Sequence, residues 1–275
     1  MDDDETIIRQ ALKEDLGSGD KTTDALIPVD LYGRARIYSK EPFIMAGIDI
    51  AKKTFQILDP AIEFRKFCED GVHTDKGQCL AEVSGRVASL LKAERTALNF
   101  LQHLSGIATL TRRFVEAVKS YPVKILDTRK TTPGLRVLEK YAVRVGGGFN
   151  HRMGTYDGIL IKDNHIAACG GIAEAVKRGK ASAPHYMRVE VEVGSLEEVE
   201  EALESGADAI LLDNMAPESI EAAVSLAEGK AYLEASGGIT LDTVEMVANT
   251  GIHGISIGAL THSAKAVDIS MEFVL

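Results

Sequence analysis

Four short aliphatic runs, 188–193 (RVEVEV), 209–213 (AILLD), 231–236 (AYLEAS) and 254–258 (GISIG), begin 21–23 residues apart. That spacing is the length of a compact strand–helix unit. Helical patterns fill the intervals: 195–205 behind a Ser195 cap with Glu198 at the capping-box position, 217–227 opening on Pro217, and 240–249 after Thr240. Two earlier runs, 123–127 (VKILD) and 157–162 (DGILIK), have the same character. Strands joined through helices run parallel and need both sheet faces covered, and six such units favour an α/β-barrel over an open sheet.

The first hundred residues lack this rhythm. Segments 33–40, 43–50, 61–68 and 78–83 read as strands around a helix near 49–57, and a helix over about 86–119, broken near Gly106, leads into the barrel. The division expected is a separate α+β unit over 1–105, a barrel over 106–266, and a tail strand, 267–275, returning to the first unit's sheet. The start, MDDDET, has no apolar run of the kind a secretory signal needs, and no stretch is long enough to span a membrane. Three scattered cysteines suit a reducing compartment, so a cytoplasmic protein is expected. A net charge of −10 argues against nucleic acid as a partner.

In parallel α/β architectures chemistry gathers at the C-terminal strand ends. Here those ends carry Asp127, Arg129 and Lys130; Lys162, Asp163 and Asn164; Glu190 and Glu192; Asp213 and Asn214; Glu234, Ser236, Gly237 and Gly238; and Gly258. Between Lys119 and Arg152 eight basic residues face two acids, a local reversal that calls for an anion. Arg136, Lys140 and Arg144, four apart, read as a solvated helix face, whereas Arg129-Lys130 beside Thr131-Thr132-Pro133-Gly134 and His151-Arg152 after Gly146–Gly148 read as an anion site. Lys162 ends an apolar run, which aims its ammonium at the mouth. Its bland alternative is an ion pair with Glu190 or Asp163, and a Schiff-base role is a further one. Glu192 and Asp213 end adjacent strands and suggest a Mg²⁺ site bridging to a polyphosphate, with Glu190 in support. Ser236-Gly237-Gly238, followed by a helical pattern, and Gly258-Ala259-Leu260 have the logic of phosphate-binding loops.

Taken in order, EDLGSGDKTTD (14–24), ERTALNFLQHLSGI (94–107), DTRKTTPG (127–134), GGGFNHR (146–152), DGILIKDNH (157–165), EVEV (190–193), LLDN (211–214), EASGGI (234–239) and GALTHS (258–263) resemble the quinolinate phosphoribosyltransferases. The resemblance implies an incomplete α/β-barrel with an N-terminal α/β sandwich, in dimers or dimer-based hexamers. It implies transfer of phosphoribose from 5-phosphoribosyl-1-pyrophosphate to quinolinate with loss of CO₂, giving nicotinate mononucleotide in NAD biosynthesis. By position, Arg129, Lys130, His151, Arg152 and Lys162 would bind quinolinate, and Arg95 would reach the partner subunit's pocket. Glu192 and Asp213 would face ribose and Mg²⁺–pyrophosphate, directly or through substrate or water. Ser236, Gly237, Gly238, Gly258, Ala259 and Leu260 would hold phosphate, with His262 nearby. Lys130, Lys162, Glu192 and Asp213 are the residues expected to act in catalysis. A related phosphoribosyltransferase acting on another base, a lysine aldolase and a silent phosphate-binding protein remain the alternatives at this point.

Overall fold

The computed structural model describes residues 3–274, so Met1, Asp2 and Leu275, the end of the expected tail strand, lie outside the described residues. The chain divides into two compact units. One comprises 1–112, 131–147 and 260–275; the other comprises 113–130 and 148–259. Segments 131–147 and 260–266 therefore group with the N-terminal residues and not with the strands beside them in sequence.

In the first unit, β1 (Tyr32–Ser39), β3 (Glu63–Lys66), β5 (Cys79–Arg86) and β12 (Ile269–Val274) form an antiparallel sheet in the order β12-β1-β5-β3. A separate two-stranded ladder joins β2 (Phe43–Ile44) to β4 (His73–Thr74). Strand β1 alternates along its length, burying Ala35 and Ile37 and exposing Arg34, which puts one face of the sheet on a core with Phe55, Leu80 and Leu98. Each fully buried side chain of that size stabilises the fold by roughly 1.5–3 kcal/mol.

Three expectations fail in this unit. Segment 43–50 is not one strand: Gly47 takes φ 93°, a left-handed turn, and helix Ile48–Leu58 starts behind it. The long helix runs unbroken over Val87–Ala117. Gly106 does not break it; a Cβ there would collide with the backbone carbonyl of Lys265, so the glycine allows the C-terminal segment to lie against the helix. Lys140, read as part of a solvated face, is fully buried in helix Arg136–Val145, between the buried Leu138 and Ala142.

In the second unit six parallel strands, β6 (Lys124–Leu126), β7 (Ile159–Ile161), β8 (Val189–Val193), β9 (Ala209–Asp213), β10 (Tyr232–Ser236) and β11 (Gly254–Ser256), take the order β6-β11-β10-β9-β8-β7. Strands β6 and β7 are the two edges and do not pair, so the barrel is incomplete. Strand β8 shows how sequence sets orientation. Val189, Val191 and Val193 are buried, and Val189 packs beneath Gly179 of helix Ile172–Ser182, while Glu190 and Glu192 turn to the other face. The helix after β8 starts at Ser195, whose hydroxyl accepts the Glu198 N–H at 3.2 Å, and the helix after β9 opens on Pro217. After β10 the helix begins only at Val244, later than the pattern over 240–249 suggests, because Thr240 and Thr243 build a turn of their own. Among the described residues no helix is long and apolar enough to cross a membrane.

Candidate active site

The C-terminal ends of the six strands surround a cavity of about 410 Å³ in the second unit. Its lining includes Arg129, Lys130, His151, Arg152, Lys162, Glu192, Asp213, Ser236, Gly237 and Gly238, residues spread over more than a hundred positions of sequence. Thr128, Asn214 and Ser256 line it as well, and sequence reasoning had given none of them a role.

The basic wall depends on one buried carboxylate. Phe149 bonds across the β6 edge, donating its N–H to Ile125 O at 2.8 Å and accepting from Asp127 N at 3.1 Å. Asp127, fully buried, then accepts from Asn150 Nδ2 at 2.6 Å and His151 N at 2.8 Å. These bonds set His151-Arg152 beside Arg129-Lys130. Arg152 donates through Nη1 to Gly158 O at 2.9 Å, whereas its Nε is buried with no hydrogen-bond partner. Burial, and then repulsion from Arg129, lower the Arg152 pKa, against the pull of Glu190 and Asp157. A half-buried guanidinium in this condition is a ready partner for an anion.

Lys162 lies at the β7 end and caps helix Asp163–Cys169. Its N–H donates to His165 Nδ1 at 3.0 Å and its carbonyl accepts from Ile166 N at 2.9 Å. Its ammonium pairs with Glu192 across the mouth, not with Glu190 or Asp163 as the bland alternative had it. The reason is register: Glu192 is the outer of the two β8 acids, at the height where β7 ends.

Opposite, Asn214 takes a left-handed conformation at φ 55°, donates Nδ2 to Asp213 Oδ2 at 2.9 Å, and donates its N–H to Ser236 O at 2.8 Å. Gly237 (φ 96°) and Gly238 (φ 61°) follow, and a Cβ on Gly237 would fall on the Asn214 amide. Two successive left-handed glycines bring the backbone to the cavity wall with no side chain in the way. With the helix starting at Val244, these glycines and not a helix terminus carry the phosphate-cradle logic.

Other expected residues stand elsewhere. Gly258 and Ala259 belong to this unit but are not part of the cavity lining. Arg95, Leu260 and His262 belong to the first unit. There Leu260 is buried, His262 is exposed with Nδ1 2.7 Å from Ser263 Oγ, and Arg95 is exposed on its helix without a hydrogen bond or ion pair among the described residues.

One row deeper, His151 Nδ1 accepts the Arg152 N–H at 2.7 Å, which leaves the ring proton on Nε2. Nε2 lies 3.1 Å from Glu190 Oε2 and 3.7 Å from Glu234 Oε1. Burial, and then the Glu190 charge, push the Glu234 carboxyl up to about 7. Sequence reasoning had placed Glu234 at a strand end. The alternation of Tyr232, Glu234 and Ser236 was the available signal that it lies one row inside.

The cavity thus holds four cations, two carboxylates and a glycine backbone cradle, an arrangement that fits a polyanion better than a neutral ligand. Glu192 and Asp213 offer hard oxygen donors, and Asp213 is committed only to a neighbouring amide, a set that suits Mg²⁺ shared with substrate oxygens.

The chain matches the models of the quinolinate phosphoribosyl transferase N-terminal domain over residues 20–105 and C-terminal domain over residues 107–272. It is 47% identical over 262 residues to a probable carboxylating nicotinate-nucleotide pyrophosphorylase of Bacillus subtilis, covering 95% of this chain and 90% of that protein. It is 44% identical to the chloroplastic carboxylating enzyme of Arabidopsis thaliana, covering 97% of this chain and 81% of that one. The nicotinate-nucleotide pyrophosphorylase structure from Francisella tularensis superposes with a TM-score of 0.95 at 42% identity, covering 99% of this chain and 96% of that one. The chain therefore belongs to the quinolinate phosphoribosyl transferase family.

Proposed function

We propose that this cavity transfers phosphoribose from 5-phosphoribosyl-1-pyrophosphate to quinolinate and decarboxylates the adduct, giving nicotinate mononucleotide, pyrophosphate and CO₂. The observation that carries the assignment of substrate is the half-buried Arg152 guanidinium, its Nε buried and unpartnered and the group repelled by Arg129 in a wall that also holds Lys130 and Lys162. The unpartnered Arg152 Nε and its repulsion from Arg129 are costly without a ligand, and a planar dicarboxylate would offset them.

Arg129 and Arg152 would take the two carboxylates, while Lys162, held by Glu192, orients the ring so that its nitrogen faces the ribose C1. Positive charge would develop at C1 as pyrophosphate departs, and the Asp213 and Glu192 carboxylates in the cavity lining would oppose it. The Gly237–Gly238 backbone and Ser236 would hold phosphate. Asp213 and Glu192 would hold Mg²⁺, which would supply charge neutralisation for the pyrophosphate leaving group. Ring N-glycosylation turns the nitrogen into an electron sink beside the C2 carboxylate, so CO₂ can depart with the C–C electron pair left on C2.

Arg95, exposed and unpaired on its helix, is assigned to the pocket of a second copy in a two-fold dimer, the unit of any larger hexamer. Arg95→Ala and Arg152→Ala should each disable both sites. Mixed dimers should regain one whole site, about a quarter of wild-type sites after random exchange. Demonstrated exchange without recovery would place Arg95 outside the site. The activity itself is tested by comparing quinolinate with nicotinate as acceptor. Turnover of quinolinate alone supports the reading, and preferential use of nicotinate overturns it.

A further inference from the structure

Among the described residues four buried side-chain polar atoms lack a hydrogen-bond partner, and three of them, Arg152 Nε, Glu234 Oε1 and Ser256 Oγ, belong to the second unit's sheet and its adjoining loop. Arg152 Nε is accounted for by a substrate carboxylate. Glu234 and Ser256 are not: they are 2% and 3% exposed, and neither offers a charge that quinolinate would seek.

Glu234 stands between two openings. It does not line the mouth cavity, but His151 and Ser256, its neighbours, do. On its other side Glu234 lines a second cavity, of about 310 Å³, with Glu190 and with Ile159, Ala209 and Tyr232, the first residues of β7, β9 and β10. That cavity is therefore at the N-terminal strand ends, away from the mouth.

His151, Glu190 and Glu234 bring one donor atom each within 4.8 Å of one another, a grouping that could hold either a metal ion or a proton. The tautomer decides. Because His151 Nδ1 accepts the Arg152 N–H, Nε2 carries a hydrogen and has no lone pair to give a metal. Glu190 and Glu234 then face each other beside this donor, and Glu234 is the more deeply buried of the two. A proton held on Glu234 relieves that burial.

Resting on the reading that this site decarboxylates quinolinate mononucleotide, we propose that Glu234 holds the proton that the ring takes up at C2, and that solvent refills it through the opening at the N-terminal strand ends. When CO₂ leaves, the broken C–C bond's electron pair stays on C2. That pair takes a proton from a water bonded to Ser256 Oγ as the water takes the Glu234 carboxyl proton, which forms C2–H and leaves Glu234 as carboxylate. A bulk proton entering past Tyr232 restores the acid. A pre-placed acid matters because the carbanion otherwise recaptures the CO₂ still beside it, and positioned proton donors accelerate such steps about 10²–10⁴-fold.

The groups facing Glu234 are Glu190 on β8, His151 after Phe149, Ser256 on β11, Asp127 at the end of β6 and Tyr232 on its own strand, β10. Burial and Glu190 favour its protonated form, with Asp127 adding to them, while His151 opposes. The acid is loaded below about pH 7 and empties above it, so kcat should fall as pH rises through that point.

The test uses the full chain with quinolinate, 5-phosphoribosyl-1-pyrophosphate and Mg²⁺. Wild-type turnover is measured first, since its absence would sink the functional reading itself. Glu234→Gln keeps the shape but has no proton to give. Its kcat should drop roughly 100-fold with KM for both substrates nearly unchanged, while first-turnover pyrophosphate release persists. Glu190→Gln, which retains an acceptor for His151, should move the alkaline fall of kcat to lower pH and serves if Glu234→Gln does not fold. A Glu234→Gln enzyme with wild-type kcat and pH profile overturns the proposal. So does one whose only change is a raised KM for quinolinate, or an unmoved pH profile in Glu190→Gln.

Discussion

Arg152→Ala removes the guanidinium whose Nε is buried without a partner and whose Nη1 binds Gly158 O at 2.9 Å. In the complex, the quinolinate carboxylate it serves is left desolvated, a loss of ~2–5 kcal/mol for a buried charge pair with one member deleted. That corresponds to a Kd for quinolinate raised about 30-fold to several thousand-fold. The free protein should react quite differently. The same side chain is repelled by Arg129 and penalised by burial, so its removal costs little beyond one hydrogen bond, about 0.5–1.5 kcal/mol. Calorimetric titration and thermal unfolding of the same preparation separate the two effects. Arg152→Lys should restore charge but not the fork, recovering only part of the affinity. Unchanged quinolinate affinity, or a weakening confined to 5-phosphoribosyl-1-pyrophosphate, would refute the assignment of this wall to quinolinate.

Asp213→Asn should lower kcat more than it weakens quinolinate binding, and activity should vanish in EDTA; comparable rates with chelator would remove the metal role. Gly237→Ala forces a side chain onto the Asn214 amide at a left-handed backbone position, and should weaken phosphoribosyl pyrophosphate binding more than quinolinate binding in parallel titrations. Gly106→Val should destabilise by at least ~1–3 kcal/mol in denaturant unfolding, since the Lys265 carbonyl already occupies the space a Cβ needs. Glu234 has its folded pKa raised to about 7 from an ordinary 4.5, so its contribution to stability is complete below about 4.5 and lost as pH rises through 7. Thermal unfolding of Glu234→Gln without ligands should therefore show a shallower decline over that window than wild type.

The repeating strand–helix units were legible because their outward faces are decided locally: Val189, Val191 and Val193 alternate with Glu190 and Glu192 whatever the rest of the chain does. The polar strand ends were legible for the same reason, and the cavity gathers most of them. What escaped is set by contacts distant in sequence. Gly106 looks like a helix breaker until Lys265 is seen against it, and Lys140 looks solvated because a charge every fourth residue describes a face without saying what covers it. The segment at 43–50 has strand propensity throughout, but the left-handed Gly47 turns it into a helix start. The Lys162–Glu192 pairing depends on register between β7 and β8, and the burial of Glu234 depends on its depth below Ser236. Neither can be counted from a single strand.

The central claim is that one cavity both joins the base to ribose and removes its C2 carboxylate. Quinolinate carrying an isotopic label in the C2 carboxylate, incubated with 5-phosphoribosyl-1-pyrophosphate and Mg²⁺, tests it directly. The account predicts labelled CO₂ released in step with pyrophosphate, one for one, and an unlabelled nicotinate mononucleotide. Pyrophosphate released without labelled CO₂, or a mononucleotide that keeps the label, would contradict it.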